Sequence, residues 1–180
     1  MKNILITGLP GCGKTTLIRK LAHELREFGP VGFFTEEVRE CGTRKGFKLA
    51  SFGGREAGRL AHVDIAGPPR VGKYGVDLPG FESFLAQLRL TGPSARLVII
   101  DEIGKMECFS APFRNMIGSL LDGLVPLIAT IALKAGGFIE AVKSRNDVQI
   151  FEVTGPNREK LVQEIARRVR VLLAPGAQGG

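Results

Sequence analysis

The chain has 180 residues, 44% of them hydrophobic and 24% charged, which suits one folded domain and argues against disorder. Its longest apolar runs, LVII before Asp101 and IATIAL from Ile128, are strand-sized, far below the roughly 20 residues of a membrane span, so no membrane partner is expected. A formal net charge of +7 admits a polyanionic partner such as nucleic acid, but the basic residues are dispersed, and the densest group, ARRVR, falls in an amphipathic C-terminal helix.

MKNILITG runs straight into a glycine-rich loop, which leaves no room for a signal peptide; a cytoplasmic location and a monomer are expected. Cys12, Cys41 and Cys108 are scattered, and only His23 and His62 accompany them. This is neither a disulfide framework nor a zinc spacing, so reduced thiols are expected.

In chain order, residues 3–7 predict a short strand. Residues 14–28 predict a helix, with Leu17, Ile18, Leu21, Ala22 and Leu25 at helical spacing and Gly29-Pro30 as its stop. Residues 31–54 alternate and are punctuated by Cys41-Gly42 and Gly53-Gly54, which predicts a hairpin or meander. Residues 55–80 are rich in Gly and Pro and read as an irregular surface loop. Residues 81–90 predict a helix broken by TGPSA. Residues 96–101 form an unbroken apolar strand of the kind found in a parallel sheet buried on both faces. A helix over 111–121, a strand over 126–131, a short helix over 138–144, a strand over 148–153 and a closing helix over 157–173 follow. The expected architecture is a three-layer α/β P-loop domain over residues 1–174, a mostly parallel sheet flanked by helices with an antiparallel β-meander insert. Residues 175–180 are expected to form a flexible tail.

Gly8, Leu9, Pro10, Gly11, Cys12, Gly13, Lys14 and Thr15 match G-x-x-x-x-G-K-[ST], between a strand and a helix. Glycines let successive amides turn inward as an anion nest, and the following helix adds its positive end. Lys14 is expected at the β- and γ-phosphates, Thr15 on Mg²⁺, and Thr16 on the α-phosphate side. Cys12 reads either as a small filler or as a thiol activated by the helix N-terminus.

Such a loop needs a second metal anchor at the end of another buried strand, and LVIIDE supplies Asp101. Glu102 is placed to activate or position an attacking water, or else to cap locally or pair with Lys105. Lys105 reads equally as a charge at the leaving phosphate or as a surface lysine, and Glu107 as a helix-start acid. In the loop after the last strand, Arg158 can stack on a base or simply lie exposed at a helix start capped by Thr154 or Asn157.

The segments GLPGCGKTTLIRK, GFFTEEVRECGTRKGF, VGKYGVD, VIIDEIGKME and SRNDVQIFEVTGPNR occur in this order. Together they resemble the thermostable P-loop nucleoside-triphosphatase family, whose vertebrate member is called cancer-related. The resemblance runs from Lys2 to about Val171. It implies a RecA-like fold and Mg²⁺-dependent hydrolysis of ATP, GTP, CTP and UTP, with broad base tolerance. It carries nucleotide binding onto the phosphate loop and onto Leu97, Val98, Ile99, Ile100, Asp101, Glu102, Ile103 and Gly104, and it implies that Thr35, Glu36 and Glu37 lie near the site. Cys108 and Ala132 depart from the family's leucine and proline, and residues 134–137 match loosely.

Two other classes share these motifs. A P-loop kinase needs an acceptor site and lid arginines, for which Arg39, Arg44 and Arg55 are candidates. An RNA-associated switch would exploit the positive charge. No trans arginine finger is evident, so slow basal turnover is expected.

Overall fold

A computed structural model describes residues 1–52, 54, 57–90, 92 and 95–174. The glycine break at Gly53, the lid candidate Arg55, most of the 91–95 breaker and the 175–180 tail lie outside the described residues.

Strand β1 (Asn3–Thr7) enters the glycine loop and helix α1 (Lys14–Glu24) leaves it. The expected helix stops earlier than residue 28, because its last turn tightens into a 3-10 turn over Arg26–Phe28 before left-handed Gly29. Strands β2 (Val31–Glu40) and β3 (Thr43–Ser51) form a long hairpin. Strands β4 (Ala57–His62), β5 (Arg70–Val71) and β6 (Tyr74–Val76) continue the meander.

Over the described residues 57–80 the chain is therefore not the irregular loop that composition predicts for 55–80. The glycines there mark close packing instead of disorder. A Cβ on Gly75 would stand 2.3 Å from the Ile65 carbonyl oxygen, and one on Gly58 would press on the Phe84 ring at 3.2–3.4 Å. Glycine inside a strand signals such close approach. Helix α2 (Leu78–Gln87) also begins earlier than expected. The Asp77 side chain accepts from the Gly80 N–H at 3.0 Å, and Pro79 sits in the first turn, where its missing N–H costs nothing.

The remaining elements fall within a residue or two of expectation: β7 (Val98–Ile103), α3 (Ala111–Asp122), β8 (Leu127–Ile131), α4 (Phe138–Lys143), β9 (Val148–Glu152) and α5 (Arg158–Leu173). The strands join in one sheet of order β5-β6-β4-β3-β2-β7-β8-β1-β9. The β2–β7–β8–β1–β9 half is parallel and the β2–β3–β4–β6–β5 half is antiparallel. This is the expected α/β class with a meander insert.

Helices cover both faces of the parallel half. Ile4 and Ile6 point into a core with α1 and α5, while Leu5 points into the opposite core with α2, α3 and α4. Strand alternation thus puts apolar residues on both sides of β1, which explains its unbroken apolar sequence. Phe33 of β2 centres the second core, with ring centroids 6.2 Å from Phe81, 5.7 Å from Phe84 and 6.4 Å from Phe113 in edge-on arrangements. Among the described residues no helix is long and apolar enough to cross a membrane.

Candidate functional site

The parallel order brings the C-terminal ends of β1 and β7 to one edge, with β8 between them. Ligands of open α/β sheets bind at that edge. Gly11 and Gly13 adopt φ of +78° and +96°, left-handed angles that side chains avoid, and Gly13 starts α1 with no side-chain cap. The first amides of α1 are thereby left free to face an anion. The Lys14 ammonium is tethered over the loop, donating to the carbonyl oxygens of Gly8 at 3.0 Å and Leu9 at 3.2 Å. Cys12 is half-buried and packs against the α1/α5 core.

Asp101 is 1% exposed. One carboxylate oxygen accepts from the Thr130 hydroxyl of β8 at 3.0 Å, and the other from the Thr35 hydroxyl of β2 at 3.2 Å. Sequence reasoning had no role for Thr130. Its signal was a hydroxyl inside the apolar run IATIAL, in a strand whose every residue is buried. A buried hydroxyl requires a partner, and the neighbouring strand's carboxylate is that partner.

Glu102 has φ of +98°. The ladder between β7 and β8 breaks its register between Ile100 and Ile103, so Glu102 sits in a bulge. Bulges re-aim side chains beside active sites. The half-buried Glu102 carboxyl turns toward a cavity of about 650 Å³ that Lys14, Thr15, Thr16, Thr35 and Gly11 also line. Burial and the neighbouring Asp101 push its pKa up, and Lys14 pulls it down. The alternative pairing of Glu102 with Lys105 is not seen.

Gly104 is tightly enclosed. A Cβ there would stand 2.8 Å from Glu102 Cγ and 2.8 Å from Glu107 Oε2. Glu107 opens a 3-10 turn as expected of a helix-start acid, but it is 3% exposed. Burial and Glu102 hold its pKa well above the ordinary 4.5, despite bonds from its own and Gly104's backbone. The Cys108 thiol is pushed up to about 12 by burial and by Glu107.

The meander supplies the other wall. Glu36 accepts from Lys48 at 2.9 Å and Arg19 at 3.3 Å, and Glu37 from Arg44 at 2.8 Å and Arg39 at 2.6 Å. Both acids line the cavity together with Arg19, Arg44, Phe47 and Lys48. Arg44 lies over the rings of Phe47 and Tyr74, at 5.2 and 5.8 Å from their centroids. Of the described lid candidates, Arg44 reaches the cavity and Arg39 pairs behind it. Arg19 and Lys48 were missed because each is one exposed cation among many in the sequence.

Leu97, Val98, Ile99, Ile100 and Ile103 are buried in the two cores. They carry Asp101 and Glu102 to the edge but do not themselves line the cavity. Arg158 does not line it either. Its guanidinium packs over Gly13, where a Cβ would stand 2.5 Å from Nη1, and its buried Nε has no hydrogen-bond partner. Neither Thr154 nor Asn157 caps α5. Asn157 instead ties the preceding turn, accepting from the Thr154 N–H at 2.8 Å and donating to the Glu152 carbonyl oxygen at 3.0 Å.

The donor chemistry of Thr15 and Asp101 fits Mg²⁺, a hard ion that takes oxygen ligands. Among the described residues no group of three or more His, Cys, Asp or Glu side chains could hold a metal. Mg²⁺ is commonly held through one or two protein oxygens plus water and substrate phosphates.

A profile of the family described as NTPase matches residues 3–166. The nucleoside-triphosphatase THEP1 of Thermotoga sp. strain RQ2 is 47% identical over 163 residues, 90% of this chain and 92% of the relative. The human cancer-related nucleoside-triphosphatase is 40% identical over 186 residues, 94% of this chain and 97% of the relative. The crystal structure of THEP1 from the hyperthermophile Aquifex aeolicus superposes with a TM-score of 0.80 at 30% identity, over 96% of this chain and 99% of that one. With a family profile over residues 3–166, relatives 40–47% identical along nearly their whole length and a shared fold, the chain belongs to the NTPase family.

Proposed function

We propose that the protein hydrolyses nucleoside triphosphates to the diphosphate and inorganic phosphate, with Mg²⁺ and with little preference for the base. The observation that carries this reading is the pair at the end of β7. Asp101 is pinned by Thr130 and Thr35, while Glu102 is turned by its bulge into the cavity beside Lys14.

The residues divide the work. The loop amides and Lys14 bind the β- and γ-phosphates and balance charge that grows as the bridging bond breaks. Thr15 and Asp101 would hold Mg²⁺, which on binding neutralises the phosphate oxygens and orients the γ-phosphoryl group. Asp101 is fixed in one orientation, because each oxygen has already accepted a hydroxyl hydrogen bond. Glu102 receives the proton of the water whose oxygen forms the new bond to phosphorus. Its raised pKa makes it a stronger base than a free carboxylate, as a proton acceptor near neutral pH requires. The β-phosphate oxygen departs with the electrons of the broken bond.

Arg158, over Gly13, is assigned to the base end. A guanidinium stacked on a ring reads a π face that all four bases share. ATP and GTP are therefore expected to turn over within roughly tenfold, about 1.4 kcal/mol.

Phosphate release from ATP, GTP, CTP and UTP, each with and without Mg²⁺ and with no acceptor present, tests the reading. Steady release that requires Mg²⁺ supports it, and release only with an added acceptor would make the protein a kinase. Glu102→Gln is expected to lower kcat by roughly a hundredfold or more while nucleotide affinity holds. Unchanged turnover in that variant would remove Glu102 from the chemistry.

A further inference from the structure

A second cavity of about 610 Å³ lies between the β5–β6 hairpin, the turn after β7 and the loop leading to α4. Its size lies within the roughly 300–1,000 Å³ of small-molecule sites. Three cations line it, Arg70, Lys105 and Arg114, and among the described residues no acid does.

The cations are anchored without being neutralised. Arg70 donates from its two terminal nitrogens to the carbonyl oxygens of Ile65 at 2.7 Å and Lys73 at 2.6 Å, within its own hairpin. Arg114 donates from Nη1 alone to the carbonyl oxygens of Cys108 and Phe109. A guanidinium has five N–H groups, so each arginine keeps donors to spare. Lys105 is exposed and makes no hydrogen bond or ion pair among the described residues. Arg44, Arg145 and Arg170, by contrast, each hold a carboxylate.

The nearest acids in sequence do not compensate. Glu107 is buried with its carboxyl against Gly104, and Glu140 pairs with Lys143. The rest of the lining is apolar, including Val71, Phe138 and a Phe109 that is 42% exposed. Three uncompensated cations around an apolar floor match one ligand chemistry, a phosphate joined to an apolar ring.

We propose that this cavity is a second ligand site, which binds a small phosphorylated molecule with an aromatic or apolar portion. It has no lining residue in common with the phosphate cavity, but two links run between them. Lys105 stands three residues after Glu102, and the Tyr74 hydroxyl of the hairpin accepts from Arg44 Nε at 3.0 Å, itself part of the phosphate cavity.

The test uses the full chain with the phosphate loop saturated by Mg²⁺ and a non-hydrolysable ATP analogue, so that binding is read apart from hydrolysis. Phenyl phosphate is titrated and followed by amide NMR. The expected result is saturable shifts at Gly72, Lys105, Phe109 and Gly136, with benzyl alcohol and inorganic phosphate each binding at least about tenfold more weakly. Lys105→Ala, at an exposed and unpaired position, is expected to weaken phenyl phosphate by about tenfold without altering the rest of the spectrum. The absence of saturable shifts up to about 10 mM, a Kd beyond any specific site, would overturn the proposal. So would equal binding of benzyl alcohol, or an unchanged Kd in Lys105→Ala. Tighter binding of a uridine oligonucleotide at the same amides would overturn it in favour of an RNA surface.

Discussion

The two halves of the sheet meet at β2 and solve opposite electrostatic problems. The parallel half buries two acids near its functional edge. Asp101 is enclosed by two threonine hydroxyls, and Glu107 lies under a glycine turn with its pKa held up by burial. The meander keeps its acids half in water and pairs them with cations, so Glu36 and Glu37 have pKa values held below the ordinary 4.5, by Lys48 and by Arg44 respectively. A buried acid has a fixed position, and for Glu107 burial also raises its basicity. A paired surface acid forms part of an adjustable charged wall. Chemistry is therefore assigned to the parallel half, and charge matching to the meander.

The sharpest way to break this division is Lys14→Ala. The substitution removes the one ammonium tethered over the phosphate loop. It is expected to lower kcat/KM by roughly a thousandfold, about 4 kcal/mol of transition-state stabilisation. Steady-state phosphate release measures this directly. A loss confined to a few-fold would mean that the loop amides alone carry the phosphates.

Thr130→Val comes next. Valine matches threonine in shape but leaves one oxygen of Asp101 without its 3.0 Å hydroxyl partner in a buried setting. A buried acceptor left unsatisfied costs about 1–3 kcal/mol. Thermal or urea melts should register that loss, and turnover should fall while KM for the nucleotide stays close to the parent's. A stable variant with parental turnover would show that Thr35 alone orients Asp101.

These residues also mark how much of the site the sequence disclosed. Glycine spacing and an apolar strand ending in two acids are patterns that local physics enforces, so the loop, Asp101 and Glu102 were legible. Thr130 was not, because its importance depends on which strand lies beside β7, and no local rule states that. The meander was legible only to β3. Beyond it, Gly58 and Gly75 looked like turn residues, whereas Gly75 sits where a carbonyl leaves no room for a side chain and Gly58 where Phe84 leaves little. Composition registers a glycine but not the reason for it. Asp77, as the cap of α2, was hidden by the same Pro-Gly dipeptide that made the segment look irregular.

The two halves also differ in the sign of their response to pH. Glu107 has a folded pKa above its unfolded value, so the folded state holds that proton more tightly. The group does not weaken the protein below the unfolded pKa, and stability falls as pH rises from there toward the raised folded value. Glu107→Gln keeps an acceptor for the Gly104 N–H and has no proton to lose. Its melting temperature relative to the parent is expected to climb as pH rises above the unfolded carboxylate value toward the raised folded one. Glu37 runs the other way. Its pairing with Arg44 and Arg39 stabilises above the unfolded pKa and is lost as pH falls through the lowered folded value. The stability deficit of Glu37→Gln should shrink on acidification. Parallel slopes for the two variants would mean that the halves do not differ in how they hold their acids.

Arg44→Ala should give the smallest change in stability and the clearest test of the wall. The side chain is 43% exposed and pairs with a similarly exposed Glu37, so the ion pair contributes about 0–1 kcal/mol in solvent. Its position over Phe47 and Tyr74 adds about 0.5–1 kcal/mol at a half-exposed site. Melting should therefore shift only slightly. The larger consequence is electrostatic, because a triphosphate entering the cavity meets Arg44 beside Arg19 and Lys48. Removing one of these cations while leaving Glu37 with Arg39 makes the wall less positive. The expected outcome is a KM raised by about three- to tenfold with kcat within about twofold, the pattern of lost uniform binding. The KM effect should weaken as ionic strength rises, because the charges are solvent-exposed and screened within about 10 Å at 0.1 M salt. A fall in kcat instead of a rise in KM would move Arg44 from the wall into the chemistry, and with it the boundary between the two halves.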